Sequence, residues 1–134
     1  MPALVALLRA VNLGPHNKVS MAQLKVLAEA VGLSEPRTLL QSGNLVFQTK
    51  ARPTAGLEKL LEEALAKKLS LKTPVLVRSG IEWRAALDAN PFIDEAESDP
   101  SHLLLMPLKA KVEKTALADL TEAIFGRELV RQVG

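Results

Sequence analysis

Residues 37–48 read Arg37-Thr38-Leu39-Leu40-Gln41-Ser42-Gly43-Asn44-Leu45-Val46-Phe47-Gln48. Two short runs, Arg37–Gln41 and Leu45–Gln48, flank Ser42-Gly43-Asn44. Glycine and asparagine tolerate positive φ, so the stretch reads as a β-hairpin. A helix lies on each side of it. Upstream, Ser20 and Gln23 form a capping box, in which each side chain satisfies an amide of the first turn. Leu24, Leu27, Ala28 and Val31 follow at helical spacing, and Gly32 closes that helix. Downstream, Pro53 opens a helix whose stripe is Leu57, Leu60, Leu61, Ala64, Leu65 and Leu69. Lys67 and Lys68 sit in its last turn, where cations complement the negative dipole end.

Working further outward, Ala3–Arg9 is an apolar run of strand length, followed by a Gly14-Pro15-His16-Asn17 loop. Pro74 leads into Val75-Leu76-Val77-Arg78, a fourth strand. The order is βαββαβ, and its natural home is an α+β, ferredoxin-like unit with an antiparallel sheet. Residues 1–78 form this unit. Residues 79–134 read as an incomplete second α/β unit, expected to pack on the first as one compact body. Ser79 and Glu82 make another capping box, opening a helix that stops at Asn90-Pro91. His102–Leu108 reads as a strand and Val112–Phe125 as a helix closed by Gly126. Leu129, Val130 and Val133 suggest one more strand, and Asp94, Glu95, Glu97 and Asp99 an acidic loop.

Composition narrows the class. A chain of 134 residues fits one compact domain or two very small ones. It has no cysteine, which removes disulfides and thiolate metal sites and suits a reducing compartment. Met1-Pro2 runs directly into strand-like sequence without a basic leader, and no apolar run reaches bilayer-spanning length. The expectation is a cytoplasmic protein that does not engage membranes. The net charge of +2 hides an imbalance: residues 1–80 carry 11 Lys/Arg against 5 Asp/Glu, and residues 81–134 carry 6 against 10. Opposite halves can attract each other within or between chains, or leave a basic surface for an anionic partner. Solvated charge without such a purpose has the same pattern.

Three segments carry a resemblance. Ala6-Leu7-Leu8-Arg9-Ala10-Val11-Asn12-Leu13-Gly14 with Asn17-Lys18-Val19-Ser20-Met21, then Gln41-Ser42-Gly43-Asn44-Leu45-Val46-Phe47, then Ala89-Asn90-Pro91-Phe92, resemble in order the signatures of an uncharacterised bacterial family. It is the domain of unknown function number 1697. The resemblance implies an α+β, ferredoxin-like fold and no agreed reaction. Two departures stand out: the family usually has glycine where this chain has Ala10 and Pro15, which implies a stiffer loop. Family members also usually continue well beyond the equivalent of Gly134, into a basic and aromatic segment.

The expected strand order, 4-1-3-2, gathers the end of strand 1, the start of the first helix, the hairpin turn and the end of the second helix. Arg9, Asn12, His16, Lys18, Gln41, Ser42, Asn44, Lys67 and Lys68 then share one neighbourhood. A helix N-terminus flanked by cations suits an anion, and the candidate ligand-binding residues are Arg9, Asn12, Lys18, Ser42 and Asn44. Caps and turns need the same residue types for purely local reasons. His16 and His102 fall in separate units, and Ser42 has no base with an orienting partner. Residues 94–99 lack the ligand order of a calcium loop. Gly14–Lys18 is neither a Walker loop nor a dinucleotide fingerprint. No catalytic residue, metal or cofactor is assigned. Aromatics are 3% of the chain, too few for a stacking platform on RNA, so phosphate-led contact is the open nucleic-acid mode.

The leading expectation is a non-enzymatic protein that binds an anionic, phosphate-bearing ligand or nucleic acid at the basic end. One alternative is a structural module for self-association, and another is an enzyme completed by a partner chain. Strand 1 is apolar on both faces, and a layer of helices covers only one. Together with the opposed charges this leads to the expectation of a homodimer, formed through the sheet face or the C-terminal edge.

Overall fold

Alternating apolar residues in β1 (Ala3–Leu8) put Leu4, Ala6 and Leu8 on one face of a strand, and all three are buried. The computed structural model describes residues 2–12, 18–39, 43–50, 53–124, 126 and 129–133. It shows an α+β protein. The first elements after β1 are α1 (Met21–Ala30), β2 (Ser34–Leu39), β3 (Asn44–Gln48), α2 (Thr54–Leu69) and β4 (Val75–Ser79). They form one four-stranded antiparallel sheet in the order β2-β3-β1-β4, the order the sequence leads one to expect.

The caps form as the sequence requires. The Gln23 amide donates to Ser20 Oγ and the Ser20 amide to Gln23 Oε1, both at 3.0 Å. Gly32 leaves α1 at φ +90, while the Leu33 amide reaches back to the Ala28 carbonyl. Leu24, Leu27 and Ala28 of α1 and Leu57, Leu61, Ala64 and Leu65 of α2 meet Leu45 and Phe47 of β3 and Val75 and Val77 of β4 in one core. Each fully buried Leu, Val or Phe stabilises the fold by about 1.5–3 kcal/mol. The opposite sheet face is more open: Val5 and Leu7 are half-buried and Ala3 is exposed.

Both outer strands are closed to further pairing by their own chemistry. Along β4, the Val75 amide donates to Glu62 Oε1 (3.1 Å) and the Val77 amide to Glu58 Oε2 (2.9 Å). The Ser79 amide donates to Glu82 Oε1 (3.3 Å). Arg78 links the middle and the last of these carboxylates, 3.5 Å from Glu58 and 3.7 Å from Glu82. Alternate amides of an edge strand are what another strand would take, and here carboxylates from the helices before and after β4 take them. At the other edge, β2 carries an irregularity between Ser34 and Arg37, with Glu35 at φ +48 and the amide-less Pro36 beside it. A bulge and a proline are both devices that blunt an edge.

The chain divides into two compact units, Met1–Trp83 and Arg84–Gly134. The helix α3 (Gly80–Asp88) starts at its Ser79–Glu82 capping box as foreseen. The second unit departs from expectation in four ways. Residues 93–98 are a short helix, α4 (Ile93–Ser98), rather than an acidic loop. Position 102 ends a 3-10 turn (Pro100–His102), and residues 103–108 join no sheet among the described residues. Residues 129–133 form no strand. The helix expected at Val112–Phe125 is the shorter α5 (Lys114–Ala123); Phe125 lies outside the described residues. A strand exists only with a ladder partner, and local sequence cannot supply one.

Removing the Glu58 carboxylate leaves the Val77 amide without its acceptor at a closed edge. Glu58→Ala is expected to cost about 1–3 kcal/mol in urea unfolding, with Glu58→Gln, which keeps an acceptor oxygen, costing less.

Candidate functional site: the basic end of the first unit

The residues that follow β1 are pinned from two sides. The Leu8 amide donates to the Gly43 carbonyl (3.0 Å), tying the strand end to the hairpin turn. The Arg9 amide donates to the Pro74 carbonyl (3.2 Å), and the Thr73 hydroxyl donates to the Arg9 carbonyl. The α2–β4 connection therefore lies directly beside Arg9. Gly43 has φ +84, and a Cβ there would sit 2.8 Å from Val11 Cγ2 and 2.9 Å from Leu8 Cβ. Glycine is needed twice over at this position, for the left-handed backbone and for the close approach.

The loop itself turns through two left-handed residues, Ala10 at φ 55 and Asn12 at φ 57, with Val11 buried between them. Asparagine adopts that region readily; alanine does so at a cost of about 1–2 kcal/mol. The Asn12 side chain spans the loop. Its Nδ2 donates to the Val19 carbonyl and its Oδ1 accepts from the Val19 amide, both at 2.9 Å. That pairing carries Lys18 back to the start of α1, next to the Ser20 cap.

Each residue singled out from the sequence has a definite place. Arg9 and Lys18 are exposed. Asn12 holds Val19, and Asn44 Nδ2 donates to the Leu39 carbonyl (3.2 Å) across the hairpin. Both asparagines thus have a structural hold on backbone, as well as their position at this end. Ser42, together with His16 and Gln41, lies outside the described residues. Lys67 and Lys68 end α2 and Lys72 follows it, all three exposed. Lys72 escapes a reading by helix ends; the contacts of Thr73 and Pro74 with Arg9 show which end of the sheet it joins.

Charge at this end is mainly positive. Residues 1–28 and 64–81 contain no Asp or Glu, so Arg9, Lys18 and Lys72 lie in stretches without a carboxylate. The helix α2, which ends in Lys67 and Lys68, carries Glu62 and Glu63 just before them, and Glu62 accepts from the Val75 amide at the start of β4. In the second unit, His102 Nδ1 lies 2.8 and 2.9 Å from the two Asp99 carboxylate oxygens, and both side chains are largely exposed. This contact organises the turn. Among the described residues no three His, Asp or Glu side chains come together as a metal set.

The family described as "Protein of unknown function (DUF1697)" matches residues 1–134. Among solved structures, the conserved bacterial protein SP0830 from Streptococcus pneumoniae is similar, with 28% identity and a TM-score of 0.61 over 68% of this chain. The match covers 50% of that protein, so this chain spans about half the length of its solved relative. No curated protein matches. No helix is long and apolar enough to cross a membrane among the described residues.

The two backbone positions give opposite expectations. Gly43→Ala adds left-handed strain and a clash with Leu8 and Val11, and is expected to lower stability by about 2–4 kcal/mol. Ala10→Gly relieves strain but loses some chain entropy, and is expected to raise stability by up to about 1 kcal/mol. Thermal and urea unfolding of the two variants check both signs.

Proposed function

The chain belongs to the DUF1697 family, and we propose that its first unit is a ferredoxin-like module that binds an anionic, phosphate-bearing ligand or nucleic acid at the basic end. One observation carries this reading: five exposed cations, Arg9, Lys18, Lys67, Lys68 and Lys72, come from the strand end, the α1 start, the last turn of α2 and the α2–β4 connection, and outnumber the neighbouring carboxylates Glu62 and Glu63. The positive end of the α1 dipole adds to the field beside Lys18. Arg9 and Lys18 supply the charge-assisted contacts, Asn12 and Asn44 hold the loops that present them, and Ser42 is a further proposed contact. The protein acts by binding rather than by catalysis, in the cytoplasm. The low aromatic content supports contact led by phosphate rather than by stacked bases.

A second reading, self-association as a homodimer, is favoured by a separate observation in the second unit. None of its described residues is buried, while Ile93, Leu104, Met106 and Leu129 are each at least 65% exposed. Burying such side chains against a second copy would be favourable.

The anion reading is tested with single-stranded RNA and a phosphorylated small molecule, titrated at low and moderate salt. Binding should weaken steeply with salt. Arg9→Ala and Lys18→Ala should each weaken it further, lowering the log–log salt slope for RNA by roughly 0.7 per lost phosphate contact while unfolding curves stay close to the parent. Absence of binding to either probe at low salt removes the proposal.

A further inference from the structure

We infer that the ligand of the basic end is an amphiphilic anion, a phosphate monoester of an apolar group whose tail lies in the groove between α1 and the last turn of α2. This rests on the anion reading and names its ligand class. The groove has a volume of about 390 Å³, and Ala22, Val26, Leu27 and Ala30 of α1 and Lys68 and Leu69 of α2 line it. Positions 22, 26 and 30 stand four apart and form one line along the helix. Alanine on either side of Val26 leaves room for the hollow, which runs about 12 Å from the first turn of α1 to its last. Leu27 is buried beneath it, Leu69 is half-buried, and Val26 is 64% exposed. Gln23 also lines the groove, but its Oε1 accepts from the Ser20 amide at 3.0 Å and so serves the cap.

Size and lining choose the occupant. Pockets for small molecules measure about 300–1,000 Å³, are mostly apolar and carry a few polar groups that fix orientation. This groove has that size and make-up, with Lys68 as its charged group. A strand of nucleic acid would bring sugar and phosphate against an apolar lining. No aromatic side chain is among the lining residues to stack on a base.

Charge sets the direction of the occupant. The end at Ala22 is the positive end of the α1 dipole, and Lys18, Lys67, Lys68 and Lys72 belong to the same end of the sheet. The end at Ala30 is the negative end of that dipole. An anionic head therefore belongs at the first turn of α1, and a tail that runs toward Ala30 covers Val26 and Leu27. A phosphate monoester carries about −1.5 to −2 charge at neutral pH, which suits several cations at once.

Octyl phosphate, kept below its micelle-forming concentration, is the probe. Inorganic phosphate and octanol stand for its two halves, and single-stranded RNA and vesicles containing phosphatidic acid are the other arms. At low salt the ester is expected to bind about tenfold or more tightly than inorganic phosphate. It should also shift amides along residues 22–30, beyond those moved by RNA. Val26→Asn should remove most of the ester's advantage over inorganic phosphate, Val26→Leu should keep it, and Lys68→Gln should weaken the ester. An ester that binds no better than inorganic phosphate while RNA still binds, or an advantage that survives Val26→Asn, overturns the groove and leaves the anion reading standing. Octanol binding as tightly as the ester, or the vesicles binding where the free ester does not, overturns it too. Absence of binding to the ester, inorganic phosphate and RNA alike overturns both readings.

Discussion

The close approach of Gly43 to Leu8 and Val11 is the constraint on which the first unit depends. With a side chain at position 43 the hairpin turn could not rest on the end of β1, since its Cβ would lie within 3 Å of two neighbours. Without that rest the Leu8–Gly43 hydrogen bond would open, and with it the register that buries Leu4, Ala6 and Leu8. The same contact seats Val11 in the core. The loop from Arg9 to Asn12 is thereby shaped by packing beneath it, and its exposed cation is a consequence of that packing.

Three layers of reasoning converge on the polarity of the unit. Hydrophobic periodicity chooses the buried face of each element. Hydrogen bonds from Asn12, Thr73 and Asn44 to distant backbone then choose the paths of the loops. The carboxylates have other partners or places: Glu58 and Glu62 take amides along β4, Glu62 at the Val75 end, and Glu29 and Glu35 stand near the far end of the sheet, by the α1–β2 connection. The end presented by Arg9, Lys18 and Lys72 is left with an excess of positive charge. A negatively charged partner approaching this end meets the field of several cations.

Much of the first unit was legible in the sequence because its signals are local. The capping box of Ser20 and Gln23, the Gly32 exit and the leucine stripe of α2 each act within a few residues. The strand order followed from the βαββαβ sequence of elements. What was not legible was long-range: Glu58 and Glu62 look like ordinary helix-surface carboxylates until β4 is laid beside them, and nothing near Asn12 in sequence shows that it holds both backbone groups of Val19. Lys72 joined the basic end through the contacts of Thr73 and Pro74 with Arg9. In the second unit the reading failed where it depended on pairing. Residues 102–108 have the composition of a strand, but a ladder needs a neighbour, and composition does not say whether one is present.

The central claim, that the basic end of the first unit recognises an anion, is tested most directly by mapping a titration onto amide resonances. With single-stranded RNA added at low salt, the account predicts shifts concentrated at residues 9–12, 18–20 and 67–74, reversed by added salt. Shifts spread evenly over the chain, or centred on the second unit, would contradict it.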